Sequence, residues 1–264
     1  MGGVIHRRRR LIEVRSRRPV PIAEGVWVLQ GQPGRCNVYF IAEGSAVSLF
    51  DAGARTMAGA IARAGEQLGG IRRIILGHGH TDHRGSAPAL GAPVYCHPEE
   101  VNDAQGSGGF RYWPKGLCGL PTPQRQIHRA LHRLAWDGGP VRIEEVLRED
   151  DVVAGFRVIE IPGHSPGQIA LWRQADRLAL VSDAFYTIDM WGRDCAAKLP
   201  EAVYNYDSEQ ARKSLLKLAA LEPAAAWAGH ARPLIGDVRA CLEALAACPQ
   251  PSPVAGTPED EIRR

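Results

Sequence analysis

The chain has 264 residues, 45% hydrophobic and 23% charged, the balance of a globular protein with a sizeable core in one large domain or two small ones. Its net charge of +3 is unevenly placed: residues 1–18 carry seven arginines (7, 8, 9, 10, 15, 17 and 18) against Glu13, a local +6 that leaves −3 for the rest. No apolar run reaches the length of a membrane span and no signal-type apolar core opens the chain, so a cytoplasmic protein without membrane contact is expected.

Residues 1–20 read as a basic, flexible tail, solvated rather than committed to nucleic acid or anionic lipid. The domain proper is expected over 21–248. Short strands are predicted at 26–30, 37–42 and 46–50, joined by turn-rich connections such as Gly31-Gln32-Pro33-Gly34. An alanine-rich helix over 55–68, with Met57, Ile61 and Leu68 on its apolar side, ends at Gly69-Gly70. A strand at 72–76, a short helix over 83–90 and a strand at 93–95 come next. Residues 101–150 break this rhythm with a glycine-rich stretch (106–109), the cluster Phe110-Arg111-Tyr112-Trp113 and a helical pattern over 124–134. This insert is either a lid or pocket wall, or a contributor of aromatics to the core. Further strands are predicted at 155–161, 168–173, 178–182 and 224–228, with helices over 207–220 and 236–247. Residues 249–264, proline-rich and charged, read as a disordered tail. Strands followed by helices in both halves indicate a layered α/β fold of two sheets between outer helices.

The chemistry concentrates in Gly77-His78-Gly79-His80-Thr81-Asp82-His83, directly after Ile74-Ile75-Leu76. Residues two apart on an extended chain point to the same side, so His78 and His80 converge, while Asp82 and His83 reach a neighbouring point as the chain turns. The segment reads as a metal site for two ions, although Asp82 would also suit a helix N-cap. His164 in Pro162-Gly163-His164-Ser165-Pro166-Gly167, Asp183 after Ala179-Leu180-Val181-Ser182, and His230 after Ala225-Ala226-Trp227-Ala228-Gly229 each stand just past a predicted strand. Clefts at strand ends are where α/β proteins place their sites.

Other groups carry less. Six cysteines (Cys36, Cys96, Cys118, Cys195, Cys241, Cys248) lack metal-type pairing and read as reduced, mostly buried thiols; Cys195 stands nearest a stretch that would line the site. His128 and His132 are spaced i, i+4, but Arg125, Arg129 and Arg133 mark that surface as solvated. His97 is read as structural. The glycines of 106–109 lack the lysine and preceding strand of a phosphate-binding loop.

The ordered set Phe50-Asp51-Ala52-Gly53, His78-x-His80-x-Asp82-His83, Pro162-Gly163-His164, Asp183 and Gly229-His230 resembles the metallo-β-lactamase fold superfamily. The resemblance covers roughly 26–247 and implies an αββα four-layer sandwich of two mixed sheets with the site at one edge. It implies that His78, His80 and His164 bind one ion, that Asp82, His83 and His230 bind the second, that Asp183 bridges, and that Asp51 orients the histidine loop from behind. Gly77 departs from the threonine that many members place before the first histidine. Two divalent ions, zinc ahead of iron or manganese, suit imidazole and carboxylate ligands. The implied activity is hydrolysis of an ester, lactone or thioester of a small organic substrate by a metal-bridging hydroxide, with Asp82 carrying the proton to the leaving group.

Asp183 disfavours a lactamase, which usually has cysteine or a non-ligand there. The short segment after His230 disfavours glyoxalase II, which shares the ligand set but carries a helical extension. Tyr186, three residues after Asp183, resembles the substrate-contacting tyrosine of acyl-homoserine lactonases; it is otherwise a core aromatic. Alternatives of other classes are a mononuclear-iron persulfide dioxygenase and an RNA-processing nuclease, the latter opposed by the acidic body. The partner expected is a small-molecule substrate, with no nucleic acid and no membrane, and a homodimer is compatible with the chain.

Overall fold

The computed structural model describes residues 18–248 except Pro33, 108–122, 124–125, 128–129, 131 and Met190. Among these residues the strands form two large sheets and a small ribbon. The first sheet has the order β1 (Val20–Ala23), β2 (Val26–Gly31), β3 (Cys36–Glu43), β4 (Ala46–Phe50), β5 (Ile71–Ile75), β6 (Val94–Cys96), β7 (Ile143–Val146). It is antiparallel from β1 to β4 and parallel from β4 to β7. The second sheet is built from β8 (Val152–Val153), β9 (Phe156–Glu160), β10 (Ile169–Arg173), β11 (Leu178–Ser182), β14 (Ala225–Ala228) and β15 (Leu234–Ile235). β12 (Tyr186–Ile188) and β13 (Asp194–Lys198) pair as the ribbon.

Central strands are apolar on both faces because each sheet is covered twice. Along β3, Val38 and Phe40 face the helices α1 (Ala58–Gln67) and α3 (Ala87–Leu90), with Ile61, Ala64 and Ala87 packed around them. Tyr39 and Ile41, one residue out of phase, face the second sheet, where Phe156, Leu171, Leu180 and Trp227 complete the inter-sheet core. The far face of the second sheet is covered by α4 (Ser208–Ala219) and α5 (Val238–Ala247), through Leu215, Leu218, Val238 and Leu242. Each such buried side chain contributes about 1.5–3 kcal/mol. Both helices start on an aspartate cap: Asp207 accepts from the N–H groups of Glu209 and Gln210, and Asp237 from that of Ala240. The result is the four-layer αββα sandwich expected from the sequence.

Differences are local. The helix expected over 83–90 is split into α2 (Thr81–Arg84) and α3, and Asp82 lies within the first turn of α2 while His80 occupies the N-cap. Strands β1, β7, β8, β12, β13 and β15 have no counterpart among the predicted elements; they are short and mostly half-exposed, so their alternation is weak. No helix among the described residues is long and apolar enough to cross a membrane.

Candidate metal centre

Topology brings the predicted residues to one edge. Strands β4 and β5 run parallel, as do β11 and β14, and β9 shares their sense within the second sheet because both β9 and β11 are antiparallel to β10. Asp51, the 77–83 loop, His164, Asp183 and His230 therefore all follow the C-terminal ends of strands. Backbone bonds hold these exits together: Ile169 N–H to Gly77 O (2.8 Å), Gly229 N–H to Ser182 O (2.6 Å) and Ala52 N–H to His83 O (2.6 Å).

All seven sequence-predicted ligands converge. His78, His80 and His164 form one buried trio, and His78, His83 and Asp183 form another. His230 Nε2 lies 3.3 Å from His83 Nε2 and 3.5 Å from Asp82 Oδ2. Asp183 sits between the groups: its Oδ1 is 3.3 Å from His83 Nε2, and its Oδ2 is 3.6 Å from His164 Nε2 and 3.4 Å from His230 Nε2. Asp82, with 16% of its side chain exposed, is the member open to solvent.

Surrounding partners fix which nitrogen faces inward for His78, His83, His164 and His230. Asp51 is the hub. Its Oδ1 accepts from Gly77 N–H (2.7 Å), and its Oδ2 accepts from both His83 Nδ1 and Ser182 Oγ (2.9 Å each). Ser182 Oγ, having donated to Asp51, accepts from His78 Nδ1 at 3.0 Å. His230 Nδ1 donates to Gly34 O at 2.8 Å. His164 Nδ1 donates to Asn205 Oδ1 at 3.1 Å, and the Asn205 amide nitrogen is committed to Pro200 O and Ser208 Oγ. Asp51, expected from the sequence to orient the histidine loop, thus bonds Gly77, His83 and Ser182 at once. Asp51, Ser182 and Ala231 hold left-handed backbones (φ 59°, 43° and 56°), each at a cost of about 1–3 kcal/mol.

A cation suits these residues. With their Nδ1 atoms committed to Asp51 and to Gly34 O, His83 and His230 bring two Nε2 atoms to 3.3 Å from each other, a placement from which both nitrogens can take one ion. His78 Nε2 and Asp183 Oδ1 are buried without a hydrogen-bond partner, a costly state that an ion would resolve.

Charge separates the two halves. Burial and the neighbouring imidazoles push His78 and His80 well below the ordinary histidine value, and burial lowers His164. Burial also opposes the charge on His83 and His230, but Asp183 outweighs it, with Asp51 assisting at His83, and both rings are held well above that value. The paired imidazoles, against the pull of burial, keep Asp183 well below the usual carboxylate range. A pH dependence results. Rings with raised values shed protons as pH rises through them, so ion uptake beside His83 and His230 should strengthen with pH above about 6.5. The His78–His80–His164 group is already neutral there and should vary little. Calorimetric titration in buffers of different ionisation enthalpy counts the protons released; equal release at both positions would contradict this assignment.

Several groups at the site were not singled out from the sequence. Glu100 is fully buried, and its two oxygens accept from Gly79 N–H and Gly167 N–H at 2.7 Å each, tying the His78–His80 loop to the His164 loop. Burial pushes this carboxyl up, against the hydrogen bonds of Ser165, Gly79 and Gly167. Cys36 stands beside Asp82 and His230. Its signal was its place at the start of a buried strand, whereas Cys195, expected near the site, appears in no ligand group among the described residues. Of the five described cysteines only Cys36 and Cys96 are buried, against the expectation of mostly buried thiols. Gly77 has a steric reason: a Cβ there would stand 2.6 Å from the Ser182 Cβ and Oγ. The serine that carries the Asp51–His78 bond occupies the space a threonine would need.

The insert meets the site from outside. His132 was expected on a solvated face, yet it is buried, bonding Thr81 Oγ1 at 2.9 Å; its supposed partner His128 lies outside the described residues, as do Phe110, Tyr112 and Trp113. Arg84 reaches Gly139 O and pairs with Asp137 at 3.4 Å, so the end of the insert is fastened to α2. His97 pairs with Glu160 at 3.0 Å, away from the ligand groups, as a structural residue does.

An αββα sandwich with buried histidine and aspartate groups at one sheet edge is a metal-binding α/β protein. The chain belongs to the metallo-beta-lactamase superfamily, whose family model matches residues 31–230. It is 32% identical over 263 residues to the probable metallo-hydrolase YflN of Bacillus subtilis (strain 168), covering 89% of this chain and 95% of that protein. Among solved structures it resembles the metallo-beta-lactamase family protein TTHA1429 of Thermus thermophilus, with 26% identity, a TM-score of 0.60, and coverage of 85% of this chain and 79% of that one. The fold is also shared with TTHA1623, solved in a di-iron-bound form, at 24% identity and a TM-score of 0.58, covering 79% and 93% of the respective chains.

Proposed function

We propose that this protein is a dinuclear metal-dependent hydrolase acting on an ester, lactone or thioester of a small organic substrate, with lactones the favoured class. The observation that carries this reading is Asp183, placed within 3.3–3.6 Å of His83, His164 and His230 at once, as a carboxylate shared by two ions must be. His78, His80 and His164 would hold one ion, and Asp82, His83 and His230 the other. Zinc is the fitting metal for this imidazole–carboxylate set. When bound, the ions supply Lewis acidity toward the substrate carbonyl and a water acidic enough to attack near neutral pH.

The remaining work falls to the protein. Asp82, partly exposed and 3.5 Å from His230, is placed to pass a proton toward the leaving group. Tyr186 Oη donates to Asp183 Oδ2 at 2.8 Å, and its ring lies 5.5 Å from that of His230. Burial and the nearby carboxylates of Asp183 and Asp82 raise the phenol well above its ordinary value, so it stays protonated as a donor. Asp51 and Ser182 keep His78 and His83 in one orientation. The described end of the insert, fastened to α2, would form one wall of the substrate site.

Metal analysis of protein purified without added metal, combined with a screen of lactones, thioesters and aryl esters, tests this reading. About two zinc ions per chain with turnover of one class is the expected result; one iron per chain with oxygen uptake and no hydrolysis would sink it. Tyr186→Phe should keep its metal and slow turnover of the preferred carbonyl substrate on the order of 100-fold, the effect of losing one donor at a reacting oxygen. Unchanged kinetics would return Tyr186 to a packing role.

A further inference from the structure

Cys36 opens β3 and faces His230 across an isolated antiparallel bridge. The bridge bonds run from Asn37 N–H to Gly229 O (2.7 Å) and from Ala231 N–H to Arg35 O (3.0 Å). That pattern makes Cys36 and His230 a non-hydrogen-bonded pair, the kind whose Cα atoms approach to about 4.5 Å and whose side chains lie together on one face. The thiol and the imidazole therefore leave the bridge on the same face, the thiol hydrogen-bonding with the His230 ring. Its sulfur, a carboxylate oxygen of Asp82 and a ring nitrogen of His230 all lie within 4.8 Å of one another. The glycine at 34, with φ 78°, brings its carbonyl onto His230 Nδ1 while a Cβ at that position would touch Cys36 Sγ at 3.7 Å.

We infer that Cys36 is a sulfur donor to the metal position held by Asp82, His83 and His230. This rests on the metal centre proposed above. Ion–ligand bonds of about 2.0–2.3 Å place two ligands of one ion within about 4 Å of each other, so a small inward rotation of the thiol closes the remaining gap. Asp183 Oδ1, buried without a hydrogen bond and 3.3 Å from His83 Nε2, offers the same position a further anionic oxygen. On binding, the thiol proton leaves to solvent and the thiolate completes a mixed sulfur, nitrogen and oxygen set. Softness then sorts the metals: such a position favours zinc or cobalt over manganese or magnesium, while the all-imidazole trio gives no such preference for sulfur-seeking ions.

Cobalt is the probe. Metal-free protein titrated with cobalt(II) should develop a sulfur-to-cobalt charge-transfer band in the near ultraviolet, and Cys36→Ser should bind cobalt without it. Zinc affinity at that position should fall on the order of 10-fold or more in the variant. Cys195→Ser, as control, should keep the band. Zinc-edge X-ray absorption of the unaltered protein, which needs no variant to fold, should contain a sulfur shell at about 2.3 Å. Cobalt or zinc bound with neither signature, or a band that persists in Cys36→Ser, overturns the assignment of Cys36 alone. Failure to bind either metal overturns the centre itself and this inference with it.

Discussion

Asp183→Ala should remove metal and activity together. No other described side chain reaches His83, His164 and His230 at once, so its loss would affect both of the ion positions proposed above. Changing a residue behind a ligand costs about 10–100-fold in metal affinity; a shared ligand should exceed that range. The same substitution has a second signature in the metal-free protein. His83 and His230 are held charged chiefly by Asp183 against the penalty of burial, so without the carboxylate both rings should titrate well below their values in the parent protein, as read by NMR. Full metal content in the Asp183→Ala protein would show that the ligand assignment is wrong.

Glu100→Ala should be nearly as severe by a different route. It leaves the buried N–H groups of Gly79 and Gly167 without acceptors, and each unmet donor costs about 1–3 kcal/mol, so a loss of about 2–6 kcal/mol in folding stability is expected. Glu100→Gln keeps one acceptor oxygen and should lose about half of that. Denaturant unfolding gives the stability, and chelator competition gives the metal affinity. Affinity should fall with stability in both variants because the two tied loops carry His78, His80 and His164. Glu100→Ala with unchanged stability would mean that the loops hold their places unaided.

Much of this site was legible because its ligands are chemically conspicuous and stand just after strands buried on both faces. Ile74-Ile75-Leu76 and Leu178-Ala179-Leu180-Val181 are continuous apolar runs, and the residues that succeed such a run must lie at a sheet edge. Residues acting through tertiary adjacency were not legible. Glu100 comes after Pro98-Glu99 in a short turn and reads as a surface acid, and only the fold shows two glycine amides aimed at it. Cys36 stands 194 positions from His230 in sequence, and only the isolated bridge between them makes them neighbours. His132 misleads because the arginines around it suggest solvent, whereas the ring turns inward onto Thr81. Edge strands such as Ile143–Val146 and Asp194–Lys198 carry charged residues among few buried ones and leave no periodic trace.

The bond between Gly34 and His230 closes a loop of 196 residues, and the approach of His83 to His230 closes one of 147. The N-terminal half holds His78, His80, Asp82 and His83, yet it completes neither trio without His164 or Asp183. During synthesis, then, the growing chain displays four strong metal-binding groups long before β14 emerges to deliver His230. Long-range closures of this kind come late in folding. An ion held by either trio would tie the two sheets to each other, so metal should add to the stability of the docked sheets and not to that of the N-terminal half alone.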